Sequence, residues 1–198
     1  MPSSSNDTLS PEMIKILKIF GLGSVLFVLL LSFFNERRAN NTGEDENPMM
    51  VSDQDRLFFK NMRAPYYDIE GREDAKINIY RYGKRIKSSG MPALNLSILL
   101  NRVKDEAYIF VEPNPENLPL HLKWRNESLS DSGELVFYGG DKFAHYDFVR
   151  KLYPLLEENL IWERTDGTSP TPILQEETAR EALKITIRDY DRLTNNPK

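Results

Sequence analysis

The sequence predicts an α+β protein: an N-terminal transmembrane helix, then an antiparallel sheet of four to six strands with two C-terminal helices packed on one face. Three observations carry this expectation. Ile19 to Phe34 (IFGLGSVLFVLLLSFF) runs sixteen positions without a charge. From Lys76 to Gly139 apolar residues recur at every second position between turn formers. Beyond Asp141 the apolar period lengthens to that of a helix.

A hydrocarbon core of about 30 Å takes roughly 20 helical residues. Ile14, Ile16 and Leu17 extend the run to that length, because Lys15 and Lys18 can snorkel to the headgroup level. Ser10 suits a cap, Pro11 the first helical position and Glu12 the positive end of the dipole. Asn35-Glu36-Arg37-Arg38 ends the span. Val25–Leu31 has no polar face, which argues against a buried helix of a soluble domain. No pair of small residues follows Phe34, so the segment reads as an uncleaved signal anchor.

The domain order is a tail over 1–12, the transmembrane anchor over 13–35, a flexible linker over 36–54 and one α+β domain over 55–194. The linker is rich in Asn, Gly, Glu and Asp, and its central 15 residues have a root-mean-square reach of about 20 Å. Basic residues flank both ends of the span, Lys15 and Lys18 before it and Arg37 and Arg38 after it. The short, signal-like tail and the acidic Glu44, Asp45 and Glu46 place the N-terminus in the cytoplasm and the domain outside it.

Within the domain, Asp55–Asp68 is read as extended, although Arg56, Lys60 and Arg63 recur at helical spacing. Ile77 and Ile79 alternate with polar neighbours up to a tight turn at Tyr82-Gly83-Lys84. Leu94, Leu96, Ile98 and Leu100 form the clearest half-buried strand, and Ala107–Glu112 pairs back onto it. Pro113, Pro115 and Pro119 then interrupt the pattern. Leu120–Arg125 and Glu134–Tyr138 flank a turn-rich stretch and form a second hairpin. Leu160–Arg164 adds a strand, followed by a proline-rich loop over Thr168–Pro172.

The first helix is capped by Asp141 and buries Tyr146, Val149, Leu152, Tyr153 and Leu156 on one face. Pro154 predicts a kink or a fresh start. The second runs from Gln175 to Leu193 with Ala179, Leu183, Ile187 and Tyr190 inward. Thr178 and Glu181 fit a capping box that starts it one turn later.

The formal charge is −4, and the first 38 residues carry about +1 of it, so the domain is mildly acidic. That balance argues against nucleic acid as a partner. With two histidines and no cysteine, nothing resembles a zinc site, and no cofactor motif is present. Asp141 and His145, four apart, would meet on one helix face as half of a general base, but a cap beside a surface histidine is the simpler reading. Gly139-Gly140 reads as a sharp turn. Asp189 and Asp191 read as solvated charge pointing to different sides. Asn40, Asn95 and Asn126 begin Asn-x-Ser/Thr triplets, which arise readily by chance. Tyr66-Tyr67 is read as core or sheet surface before a hot spot.

The surface signal is Arg81–Lys87 (RYGKRIK), which places Arg81, Lys84, Arg85 and Lys87 around one turn as a basic knob for anionic lipid or an acidic partner. The expectation is a single-pass, non-catalytic protein whose domain binds or organises another membrane component. Its partners are the bilayer, through the N-terminal helix, and a protein at the membrane. A tethered hydrolase using His145 with Asp141 and a cytoplasm-facing adaptor are the alternatives. Nothing in the sequence fixes an oligomeric state.

Overall fold

The computed structural model describes residues 10–33, 48–87, 92–126, 131–165 and 169–195. The chain divides into two units, residues 1–38 and 39–198. In the first, α1 (Pro11–Phe33) has 23 residues, none of them buried. It spans about 35 Å and is long and apolar enough to cross a membrane. Ser10 caps it, its Oγ accepting the Met13 N–H at 3.3 Å, and Glu12 lies in the first turn. The exit flank Asn35–Arg38 and residues 39–47 of the linker lie outside the described residues.

In the second unit, Met49 and Val51, within the stretch read as linker, are buried. Ala107 donates its N–H to the Met49 carbonyl at 2.9 Å, and Val51 donates to the Asp105 carbonyl at 2.9 Å. Then α2 (Asp53–Phe58) runs through a π-helical turn, Phe59–Arg63, and a 3-10 turn, Ala64–Tyr66. The extended reading of 55–68 is therefore corrected up to Tyr66. Ser52 decides it: its Oγ accepts the Asp55 N–H at 3.1 Å, and two aspartates occupy the first turn, where the helix dipole favours them. Phe59 is the inward anchor, edge-on to Tyr80 at 5.1 Å.

Among the described residues, eight strands form two antiparallel four-stranded sheets instead of one sheet of four to six. The first contains β1 (Tyr67–Arg72), β2 (Ile77–Tyr82), β3 (Ala93–Asn101) and β4 (Ala107–Asn114), in that order. The second contains β5 (Leu120–Asn126), β6 (Ser132–Phe137), β7 (Leu160–Thr165) and β8 (Pro170–Ile173), in the order β6-β5-β7-β8. The break falls at Pro113–Pro119, where prolines remove the donors that a continuing ladder needs. Arg164, fully buried, holds this connection by donating to the Pro115 carbonyl at 3.0 Å. The stretch expected as a proline-rich loop contributes β8, an edge strand, where proline is tolerated.

Two further helices, α3 (Lys142–Leu156) and α4 (Glu177–Leu193), complete the fold. Both pack on the first sheet, α3 on β4 and α4 on β3 and β4, and α3 also reaches β6 of the second sheet. Asp141 caps α3, its Oδ1 accepting the Phe143 and Ala144 N–H groups at 3.1 Å each. Pro154 starts no new helix, because it lies in the last turn, two residues before the end. No capping box forms on α4; Glu176 occupies the cap position and Thr178 donates its hydroxyl to the Glu176 carboxylate at 3.1 Å.

One core unites both sheets and both helices, with Leu94, Ile98, Leu122, Trp162, Leu183 and Ile187 at its centre. Each such side chain contributes about 1.5–3 kcal/mol, against at most about 1 kcal/mol for an exposed ion pair. Burial, not the surface charge ladder, holds the domain.

Candidate binding surface

Three of the four predicted basic residues surround one turn, and the fourth belongs to the sheet. Tyr82–Arg85 closes as a tight turn, with the Arg85 N–H donating to the Tyr82 carbonyl at 3.1 Å. Gly83 lets the turn approach closely there, since a Cβ would crowd the Tyr66 carbonyl oxygen at 3.0 Å. Asn95 Nδ2 donates to the Ile86 carbonyl at 2.9 Å and fixes the far side of the loop. Arg81 is in β2. Its Nε donates to both Glu112 oxygens at 3.0 and 2.9 Å, its Nη1 to Glu70 at 2.6 Å, and Ser97 Oγ donates to Glu112 at 2.9 Å.

Asp68, on β1, draws in two of the three turn cations. Arg85 Nη1 lies 2.5 Å and Lys87 Nζ 2.8 Å from its Oδ2. The Lys87 and Arg85 hydrogen bonds hold the Asp68 carboxyl at about 2, well below its ordinary value. Lys84 is exposed and has no ion-pair partner among the described residues. The turn walls a cavity of about 300 Å³ whose opposite side is Pro172, Leu174, Gln175 and Glu176. Lys84, Arg85 and Lys87 face two acids, Asp68 and Glu176, so one net positive charge remains.

His145 is not a surface histidine. It is 7 % exposed, stacked on Phe110 at 3.9 Å and tilted against Phe137 at 4.8 Å. Its Nδ1 accepts the Val111 N–H at 3.0 Å, and burial holds its pKa below the ordinary value. Asp141 Oδ1 is engaged at the helix cap, and no hydrogen bond joins the Asp141 carboxylate to the His145 ring among the described residues. His121 Nδ1 lies 2.9 Å from Glu134 on the second sheet, remote from α3 in sequence and on a different element. No group of three or more metal-ligating side chains exists among the described residues. Gly139 and Gly140 form the expected turn with φ of 79° and 131°, a region that favours glycine.

Other sequence expectations divide. Tyr67 packs in an aromatic cluster with Phe59, Tyr80 and Tyr82, whereas Tyr66 is exposed beneath the Arg63 guanidinium at 5.1 Å. Asp189 and Asp191 do point apart, but neither is solvated. Asp189 accepts from Arg63 Nε at 2.8 Å and from the Tyr67 hydroxyl at 2.7 Å, and Asp191 accepts from Nη1 and Nη2 of Arg150. Burial and Asp189 together raise the Tyr67 pKa. Asn95 lies in β3, Asn126 ends β5, and Asn40 lies outside the described residues.

Sequence reading missed a groove of about 310 Å³ between β6 and α3. The available signal was the Ala144, Asp147, Phe148, Lys151 stripe, spaced as one helix face and mixing apolar with charged groups. Comparison with family models, with curated proteins and with solved structures gives no match.

Proposed function

We propose that the chain is a single-pass membrane protein whose N-terminus is cytoplasmic and whose domain, outside the cytoplasm, binds an anionic partner at the membrane without catalysing a reaction. The observation that carries this reading is α1: 23 residues, capped, and without a polar face to turn towards water. Support for the contact comes from Lys84, Arg85 and Lys87, held on a fixed turn beside a cavity, with Arg81 bracing the sheet beneath. Asp68 positions Arg85 and Lys87, and Lys84 is exposed with no ion-pair partner among the described residues.

The test has two parts. Cell fractionation with an alkaline wash should leave the protein in the membrane pellet; recovery in the wash sinks the anchor. Pull-down of a co-purifying acidic neighbour should weaken when Lys84, Arg85 and Lys87 are replaced by Gln. Unchanged association removes the loop from the contact. Protease shaving of intact cells separates the outward domain from a cytoplasm-facing adaptor.

A further inference from the structure

The cavity between the basic turn and the β8–α4 connection is amphipathic. Lys84, Arg85 and Lys87 line it, and Ile86, Pro92 and Pro172, half-buried or exposed, add apolar surface to the same space of about 300 Å³. Two acids stand near these cations, and both are engaged. Asp68 holds Arg85 at 2.5 Å and Lys87 at 2.8 Å, and Glu176 accepts the Thr178 hydroxyl at 3.1 Å. The balance of three cations and two acids is one positive charge, and Lys84 is the cation left without an ion-pair partner among the described residues.

Both walls are braced. On the basic side, Asn95 Nδ2 donates to the Ile86 carbonyl at 2.9 Å. On the other, Arg180 Nη1 donates to the Leu174 carbonyl at 2.8 Å, beside a Leu174 backbone with φ of 57°. Gln175 Nε2 lies 3.5 Å from the Trp162 and Ile173 carbonyls, which leaves its Oε1 as an acceptor. A site ordered in advance loses less freedom when a ligand enters.

Charge, surface and size select the occupant. One positive charge matches a carboxylate, whereas a phosphate monoester carries about −1.5 to −2 at pH 7 and would leave the site negative. The apolar surface shares the space with the cations, so an apolar group must accompany the charge at close quarters. At about 300 Å³ the cavity stands at the lower end of ligand pockets, about 300–1,000 Å³, and takes a residue or two of chain, not a folded surface. The C-terminal residue of a polypeptide meets all three conditions, because its carboxylate and its side chain share one Cα.

From this we infer that the cavity binds the C-terminus of a partner polypeptide that ends in an apolar residue. The terminal carboxylate lies against Lys84, the last side chain against Pro92 and Pro172, and the last peptide N–H donates to Gln175 Oε1. The inference rests on the basic turn being the contact and names what that contact takes; it does not depend on α1 crossing a membrane.

The test uses the full chain in neutral-lipid nanodiscs and labelled hexapeptides randomised over their last three positions, each made as the free acid and as the amide. Bound peptides should end in an apolar residue, and amidation should weaken them at least tenfold. Lys84→Glu, at an exposed position, should weaken them as much. Pro172→Ser, also exposed, should relax the choice of last residue and keep the need for a free carboxylate. Inorganic phosphate should compete no better than acetate. Amides that bind as well as free acids overturn the inference, and the turn survives as the contact if replacing Lys84, Arg85 and Lys87 by Gln still releases the acidic neighbour. Retention of that neighbour by the triple variant overturns both. Recovery of no peptide, indifference to Lys84→Glu, or stronger competition by phosphate also overturns the inference.

Discussion

Val111 donates its main-chain N–H to Nδ1 of His145 at 3.0 Å, so a side chain on α3 closes the outer edge of β4. The imidazole must be neutral to accept. His145→Phe keeps the stacking on Phe110 but strands a buried donor, which costs about 1–3 kcal/mol. Burial depresses the folded pKa below 6.5, so the stabilisation is fully present above that pH and is lost as pH falls beneath it. Urea unfolding at pH 8 and pH 5 should show the native-to-variant gap narrowing in acid. A gap independent of pH would remove the proton from the account.

Asp189 joins α4 to the segment that precedes β1. Asp189→Ala leaves Arg63 and the buried Tyr67 hydroxyl without their acceptor. Hydrogen bonds to a charged group contribute about 1.5–3 kcal/mol, so a loss of about 2 kcal/mol is expected. Tyr67→Phe should cost measurably in the native chain and almost nothing in the Asp189→Ala background. Additive losses in that double-mutant cycle would show that the two groups are not coupled.

The Asp68 carboxyl should titrate at about 2 by side-chain NMR. Lys87→Gln should move the midpoint up towards the ordinary 3.8, and adding Arg85→Gln should move it further. High salt should act in the same direction, because the site is open to solvent and the pairs are screened. A midpoint unmoved by either substitution would mean that the turn is not held by this carboxylate in solution.

Gly133 lies flat against Trp124, and a Cβ there would stand 2.6 Å from the indole. Gly133→Ala therefore overpacks the inner face of the second sheet and should cost about 1–3 kcal/mol with a shifted tryptophan emission. Gly71→Ala is the control, since its Cβ would meet only ordinary contacts at 3.8 Å and beyond. Equal melting points for the two variants would contradict the packing argument.

Local pattern made most elements legible. Leu94 to Leu100 alternate in sequence and are buried in β3, the Asp141 cap forms, and Ala179, Leu183, Ile187 and Tyr190 all face the core. The division into two sheets was not legible, because strand order depends on which edges meet across the proline segment, a long-range choice that periodicity does not encode. The basic turn was visible as a charge cluster, but its neutralisation was not: Asp68 lies on another strand and Glu112 on a third. His145 looked like a surface group for the same reason, its partners Val111 and Phe110 being supplied by β4. The β6–α3 groove needs two elements in register before it exists at all.

The stitch of Met49 and Val51 to the start of β4 has a mechanical consequence. Tension applied to the polypeptide ahead of residue 48 reaches the domain first at those two bonds and at the seated Met49 side chain, before it loads any full ladder. They act as a fuse: a pull strong enough to part them would bare the flank of β4 while the remaining strands stay in register, and relaxation would let Met49 reseat.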